Sequence, residues 1–225
     1  MTDIISYTSR DEMAGTLAAL LAEKLHALVQ REHTARIALA GGSTPAPMLQ
    51  ALGAHDEVPW GHVTVTLTDE RWVPVTDPRS NHRLLNETLL SGPAAATRVV
   101  PLYSDAATPN DGLAAVTAGL SAALPLDIAV LGMGADMHTA SLFPGAGTLA
   151  RALAPDAPAA LAIHPPGDLE PRITLTAPTL NKAERHFLIA GAEKRAALDD
   201  ARTIGDPMKA PLLAVLEGST VHYAD

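Results

Sequence analysis

The segment from Asp127 to Pro144, DIAVLGMGADMHTASLFP, limits the possible folds of this chain more than any other. Ile128 to Leu131 is a short run, apolar at every position, that stops abruptly at Gly132-Met133-Gly134. That length and stop suit a parallel strand covered on both faces. The glycines let the chain turn, by positive φ or by close approach to a ligand. Directly after them come Asp136, His138, Thr139 and Ser141, a carboxylate and an imidazole two residues apart beside two hydroxyls. In an open α/β sheet, ligands sit beyond the carboxyl ends of the strands, which is where this order puts its polar cluster.

The same order recurs along the chain. Ile4 to Tyr7 reads as a first strand, and Ser9 with Glu12 as a capping box that opens an amphipathic helix to about Gln30. Arg36 to Ala40 is a compact strand stopped by Gly41-Gly42-Ser43-Thr44-Pro45. Thr44 is expected to cap the next helix and Pro45 to occupy its first position, with the loop and helix dipole aimed above the sheet. Val63 to Leu67 alternates with threonines as a strand and delivers Thr68, Asp69, Glu70 and Arg71 to the same edge. Ser80-Asn81 opens a helix that ends at Gly92, and Arg98 to Leu102 leads to a helix from about Asn110 to Leu124. Beyond Pro144 a Pro- and Ala-rich stretch precedes strand-like runs at Ala160 to Ile163 and Arg172 to Thr176. Arg185 to Ala190 is again a strand, followed by a helix bearing Lys194 and Arg195, and Thr220 to Tyr223 is a last strand. Strands alternating with helices, with no fixed repeat and no linker, predict one α/β domain over residues 1–225. Its expected form is a three-layer, doubly wound, mostly parallel sheet with helices on both faces.

Composition narrows the function. A net charge of −9 and 3% aromatic residues oppose a nucleic-acid partner, which would need a basic face and stacking platforms. With no cysteine, thiolate metal sites and a Cys nucleophile are excluded. The first residues carry no apolar h-region, and no run of 18 apolar residues occurs, so the expectation is a cytoplasmic protein without membrane attachment. Nine histidines include no H-E-x-x-H pair, and no metal or cofactor is expected. Gly132-Met133-Gly134 does not continue into G-x-G-x-x-G, because position 137 is Met, and Gly41-Gly42-Ser43-Thr44 lacks the Gly-Lys of a P-loop. A Gly-Gly-Ser-Thr turn before a helix suits a phosphomonoester. His138 is the candidate base, since an ordinary histidine with pKa about 6.5 accepts a proton near neutrality. Asp136 is close enough to steer it, and no G-x-S-x-G elbow offers a serine nucleophile.

Taken in order, GGSTP, TDERWVP with Ser80-Asn81, GMGADMHTASLFPG, Pro171-Arg172-Ile173-Thr174 and Gly191-Ala192-Glu193-Lys194 resemble the 6-phosphogluconolactonase family across nearly the whole chain. The resemblance implies a fold shared with glucosamine-6-phosphate deaminase and ribose-5-phosphate isomerase. It further implies hydrolysis of 6-phospho-D-glucono-1,5-lactone in the oxidative pentose phosphate pathway, by a monomer or small homo-oligomer acting on a small sugar phosphate. Gly41, Gly42, Ser43, Thr44 and Gly134 would then line the substrate site, with Arg71, Arg172 and Lys194 supplying positive charge. His138, Asp136 and Asp69 would form the catalytic group, with Asp69 or Glu70 the next base should His138 be dispensable. The family's D-G-H is here Asp136-Met137-His138, so the loop must avoid positive φ or carry strain, with Met137 pointing away from the substrate or lining the sugar pocket. A glucosamine-6-phosphate deaminase is the alternative enzyme, but Thr139 to Pro144 lacks its carboxylate and Arg71 replaces its tyrosine. A sugar-phosphate-sensing regulator domain is a third reading, without the basic recognition helix it would need.

Overall fold

The computed structural model describes residues 2–225. Ten strands follow the chain as β1 (Asp3–Ser6), β2 (Ala35–Leu39), β3 (Val63–Leu67), β4 (Asp69–Arg71), β5 (Arg98–Val100), β6 (Ile128–Gly132), β7 (Ala160–Ile163), β8 (Arg172–Leu175), β9 (Glu184–Ala190) and β10 (Thr220–Ala224). Between them lie α1 (Arg10–Glu32), α2 (Ala46–Gly53), α3 (Asn81–Glu87), α4 (Pro109–Leu120), α5 (Leu149–Leu153), α6 (Ala177–Leu180), α7 (Ala192–Ile204) and α8 (Leu213–Leu216). Seven strands form one parallel sheet in the order β1-β10-β9-β6-β2-β3-β5, so the DIAVLG strand is the central one.

The apolar run of β6 is explained by its two covered faces. Ile128 and Val130 enter a core with Leu17, Leu21 and Leu25 of α1 and Met48, Leu49 and Leu52 of α2. Ala129 and Leu131 enter the opposite core with Val116 and Leu120 of α4 and Leu198 of α7. This is the doubly wound arrangement, a mostly parallel sheet between helical layers.

Three expectations are changed. Strands β4, β8 and β7 do not join the main sheet but form a small antiparallel one. The chain between β7 and β8 is too short for a parallel crossover, which needs a dozen or more residues, so the two strands fold back on each other. Thr44 does not cap α2: Pro45 is already helical at φ −78° and ψ −15°, and its carbonyl accepts from Leu49 N–H. The capping box of α1 is completed one residue early. Ser9 Oγ accepts from Glu12 N–H as expected, but the Glu12 carboxylate takes its hydrogen bonds from Thr8.

Candidate active site

The ends of β2, β3, β6 and β9 converge on a cleft of about 220 Å³. Its walls include Gly41 to Pro45, Asp69, Arg71, Asn81, Gly134, His138, Arg172 and Lys194. The residues singled out in the sequence for catalysis or phosphate binding therefore line one space, except Asp136, which contacts His138 without lining the cleft, and Glu70, the alternative base, which is buried away from it.

The turn after β6 is tight. Gly134 N–H donates to the His138 carbonyl at 3.0 Å, and a Cβ on Gly134 would lie 2.2 Å from His138 Nδ1 and 2.3 Å from Asp136 Oδ1. Close approach is what this glycine provides. Asp136 Oδ1 meets His138 Nδ1 at 2.5 Å and also accepts the His138 backbone N–H at 3.3 Å. Burial raises the Asp136 carboxyl, but the hydrogen bond and charge of His138 outweigh it and hold the group below its usual range. An ionised Asp136 keeps the proton on Nδ1, which leaves Nε2 of a neutral ring as the acceptor. The imidazole is stacked on Phe143, with ring centroids 4.3 Å apart.

Positive φ in this loop falls on Met137 at 67° and Ala140 at 48°, not on either glycine of the GMG turn. Met137 thus carries the strain that the replacement of glycine implied. Its side chain packs against the core on the α4 and α7 face and does not line the cleft, and its carbonyl accepts from Leu212 N–H at 3.2 Å.

The small antiparallel sheet supplies the cationic wall. In the β4–β8 register Arg71 stands opposite Arg172 and Asp69 opposite Thr174. Two guanidiniums directly opposed repel each other, an arrangement that an anion between them would offset. Arg172 is only 8% exposed, its Nε has no protein partner, and its nearest carboxylate oxygen, Asp69 Oδ2, is 3.8 Å from Nη1. Burial lowers its proton affinity, opposed by the charge of Asp69. Its guanidinium lies 5.1 Å from the Phe143 ring centroid, so Phe143 is wedged between His138 and Arg172. Asp69 accepts from Ser141 Oγ at 2.5 Å and from Thr68 Oγ1 at 3.2 Å. Gly42, with φ 101°, bends the loop after β2, and Lys194 reaches the cleft from the first turn of α7.

Phe143 and Asn81 were not assigned a role in the site from the sequence, and Ser141 was placed in the polar cluster after β6 without one. Asn81 joins Arg71 Nη1 at 2.5 Å to the Asp69 carbonyl at 2.8 Å. Its place in the site could be read from the Ser80-Asn81 pair, whereas Phe143 gives only an apolar signal. Among the described residues, no three or more His, Asp or Glu side chains are grouped to hold a metal ion.

Residues 8–223 match the family model described as glucosamine-6-phosphate isomerases/6-phosphogluconolactonase. The chain belongs to this glucosamine-6-phosphate isomerase/6-phosphogluconolactonase family. Within the family it is 42% identical over 208 residues to a 6-phosphogluconolactonase of Rhizobium meliloti, an alignment covering 91% of this chain and 89% of that one. A crystal structure of a 6-phosphogluconolactonase from Shewanella baltica superposes with a TM-score of 0.96 at 30% identity, covering 100% of this chain and 98% of the other. A monomeric glucosamine-6-phosphate deaminase of the NagB superfamily superposes with a TM-score of 0.79 at 17% identity, over 99% and 97% of the two chains, and so shares the fold. Among the described residues no helix is long and apolar enough to cross a membrane.

Proposed function

We propose that this chain hydrolyses 6-phospho-D-glucono-1,5-lactone to 6-phospho-D-gluconate. The observation that carries this is the pairing, in one cleft, of an oriented His138–Asp136 couple with opposed, under-partnered Arg71 and Arg172. The phosphate dianion would sit against Gly41 to Thr44, Arg71, Arg172 and Lys194, where a guanidinium can grip two oxygens at once. The lactone carbonyl would then lie beside His138. Nε2 takes a proton from water as the water oxygen bonds to the carbonyl carbon. The tetrahedral adduct collapses by breaking the ring C–O bond, and the imidazolium returns its proton to the departing ring oxygen. Asp136 orients the ring and balances its transient charge. Asp69 fixes Ser141 and faces Arg172, which suits it to aim that guanidinium. A positioned general base is worth about 10² to 10⁴-fold, or roughly 3 to 5 kcal/mol of barrier.

We further take the protein to work as one domain over 1–225, in the cytoplasm, as a monomer or small homo-oligomer. No nucleic acid is expected at a surface of net charge −9. The deaminase reading is disfavoured because residues 139–144 bring no carboxylate to the cleft. The deciding assay sets 6-phosphogluconolactone beside glucosamine 6-phosphate, with spontaneous lactone opening subtracted. Lactone opening faster than the background supports the proposal; no acceleration, or ammonia release from the amino sugar, would replace it.

A further inference from the structure

Glu70 is a buried carboxylate that the hydrolytic steps do not use. It is 1% exposed, and strand alternation turns it, with its partner Ile173, to the face of β4 away from Asp69, Arg71 and the cleft. Its four lone-pair sites are all filled. Oε1 accepts from the backbone N–H of Arg71 and of Asn81, each at 2.8 Å. Oε2 accepts from Ser80 Oγ at 3.0 Å and from the backbone N–H of His82 at 2.7 Å. A carboxylate with four donors and no solvent is over-determined in position, and so are the groups that donate to it.

What it fixes is the binding wall on the other side. Asn81, held by its N–H, passes its own amide to Arg71 Nη1 at 2.5 Å and to the Asp69 carbonyl at 2.8 Å. The same amide fills the notch beside Gly41, where a Cβ would come within 2.0 Å of Asn81 Oδ1. Arg71 is thereby tethered at its backbone by Glu70 and at Nη1 by Asn81 and the Arg79 carbonyl at 2.9 Å, which leaves Nε and Nη2 for a ligand.

We propose that Glu70 is a positioning residue for phosphate binding: without touching substrate, it sets the Arg71 fork, directly at the Arg71 backbone and through Asn81. This rests on the reading above that Arg71 grips the phosphate. Replacing Glu70 by Gln swaps an acceptor oxygen for an NH₂ facing N–H donors, which pushes Ser80 to His82 outward and releases Asn81.

The test is a double-mutant cycle of Glu70→Gln and Arg71→Ala, read as the dissociation constant for 6-phosphogluconate and as KM and kcat on the lactone. Circular dichroism confirms that each variant is folded. Glu70→Gln is expected to weaken binding and raise KM about tenfold with kcat changed less than about threefold, and Arg71→Ala to weaken binding about a hundredfold. Because Glu70 acts through Arg71, the double variant should bind like Arg71→Ala alone, not a further tenfold worse. Should Glu70→Gln fail to fold, Ser80→Ala removes one of the four donors and is expected to give a smaller loss, again absent on the Arg71→Ala background. Additive losses, or a fall in kcat at unchanged KM, would overturn the inference about Glu70 alone. Unchanged affinity in Arg71→Ala would overturn the phosphate assignment and this inference with it.

Discussion

Two buried histidines far from the cleft should make this fold acid-sensitive. Tyr7 Oη lies 2.8 Å from His222 Nδ1, His222 Nε2 lies 3.1 Å from His186 Nδ1, and His186 Nε2 lies 3.1 Å from Glu184 Oε1, which Lys24 Nζ meets at 2.9 Å. Burial works against the Glu184 carboxylate, but Lys24 and His186 outweigh it, so Glu184 is ionised and only accepts. Proton placement then runs one way, from Tyr7 O–H to His222, from His222 Nε2–H to His186, and from His186 Nε2–H to Glu184, with both rings neutral. His222 is fully buried, and burial first, then the neighbouring His186, pushes its pKa down to about 4. In the unfolded chain the same ring protonates near 6.5, so between those values the unfolded state binds more protons and stability falls as pH falls. At about 1.4 kcal/mol per pH unit, the interval from 6.5 to about 4 is worth about 3 kcal/mol. Urea unfolding followed by tryptophan fluorescence at about pH 7 and about pH 4 measures it, with His222→Gln as the reference that lacks this proton site. The wild type should lose about 3 kcal/mol more than the variant over that range, because the carboxylates lowered in both proteins cancel. Equal losses in the two proteins would refute the assignment of the acid sensitivity to His222.

Three further outcomes are expected. His138→Ala should lose about 10² to 10⁴-fold in kcat while still binding 6-phosphogluconate; near-normal turnover above the spontaneous background would exclude His138. Arg71→Lys should raise KM for the phosphorylated lactone about tenfold, since a lysine cannot hold Asn81 and a phosphate with one planar fork; kinetics equal to the wild type would exclude that grip. Met137→Gly should stay folded with Tm changed by only a few degrees, because relief of roughly 1 kcal/mol of left-handed strain offsets the lost packing of a half-buried side chain; collapse of the fold would show that Met137 is a core residue.

How far the sequence could be read depended on whether each signal was local. The two covered faces of β6 were legible because Ile128 to Leu131 is apolar throughout, short, and stopped by Gly132-Met133-Gly134; apolarity alone would also suit a buried helix, and the length and the stop decide for a strand. The strand-then-glycine order placed GGSTP and GMGADMH at one edge, and the end of the Val63 to Leu67 strand placed TDER there. What could not be read was set by pairing between distant segments. Strands β4 and β8 are three and four residues long, too short for a period, and their register alone sets Arg71 against Arg172. That register also decides that Glu70 points away from the cleft while its neighbours Asp69 and Arg71 face it, so no property of D-E-R itself separates support from binding. The histidine pair 186 and 222 is invisible until β9 and β10 pair.

The turn after β6 shows which level of structure has the final say. Local propensity would give positive φ to Gly132 or Gly134 and extended backbone to Met137, yet the reverse is found. Asp136 and His138 must both fold back over Gly134, whose missing Cβ makes their 2.5 Å contact possible. With Gly134 committed to that close approach, the left-handed residue needed to close the turn falls at 137, where Leu212 N–H holds its carbonyl and the core holds its side chain. The cost of roughly 1 to 2 kcal/mol is local, and the orientation it secures is that of the one imidazole in the cleft. A residue disfavoured by its own backbone angles can therefore occupy this turn because the tertiary contacts around it, not its propensity, fix the shape on which His138 depends.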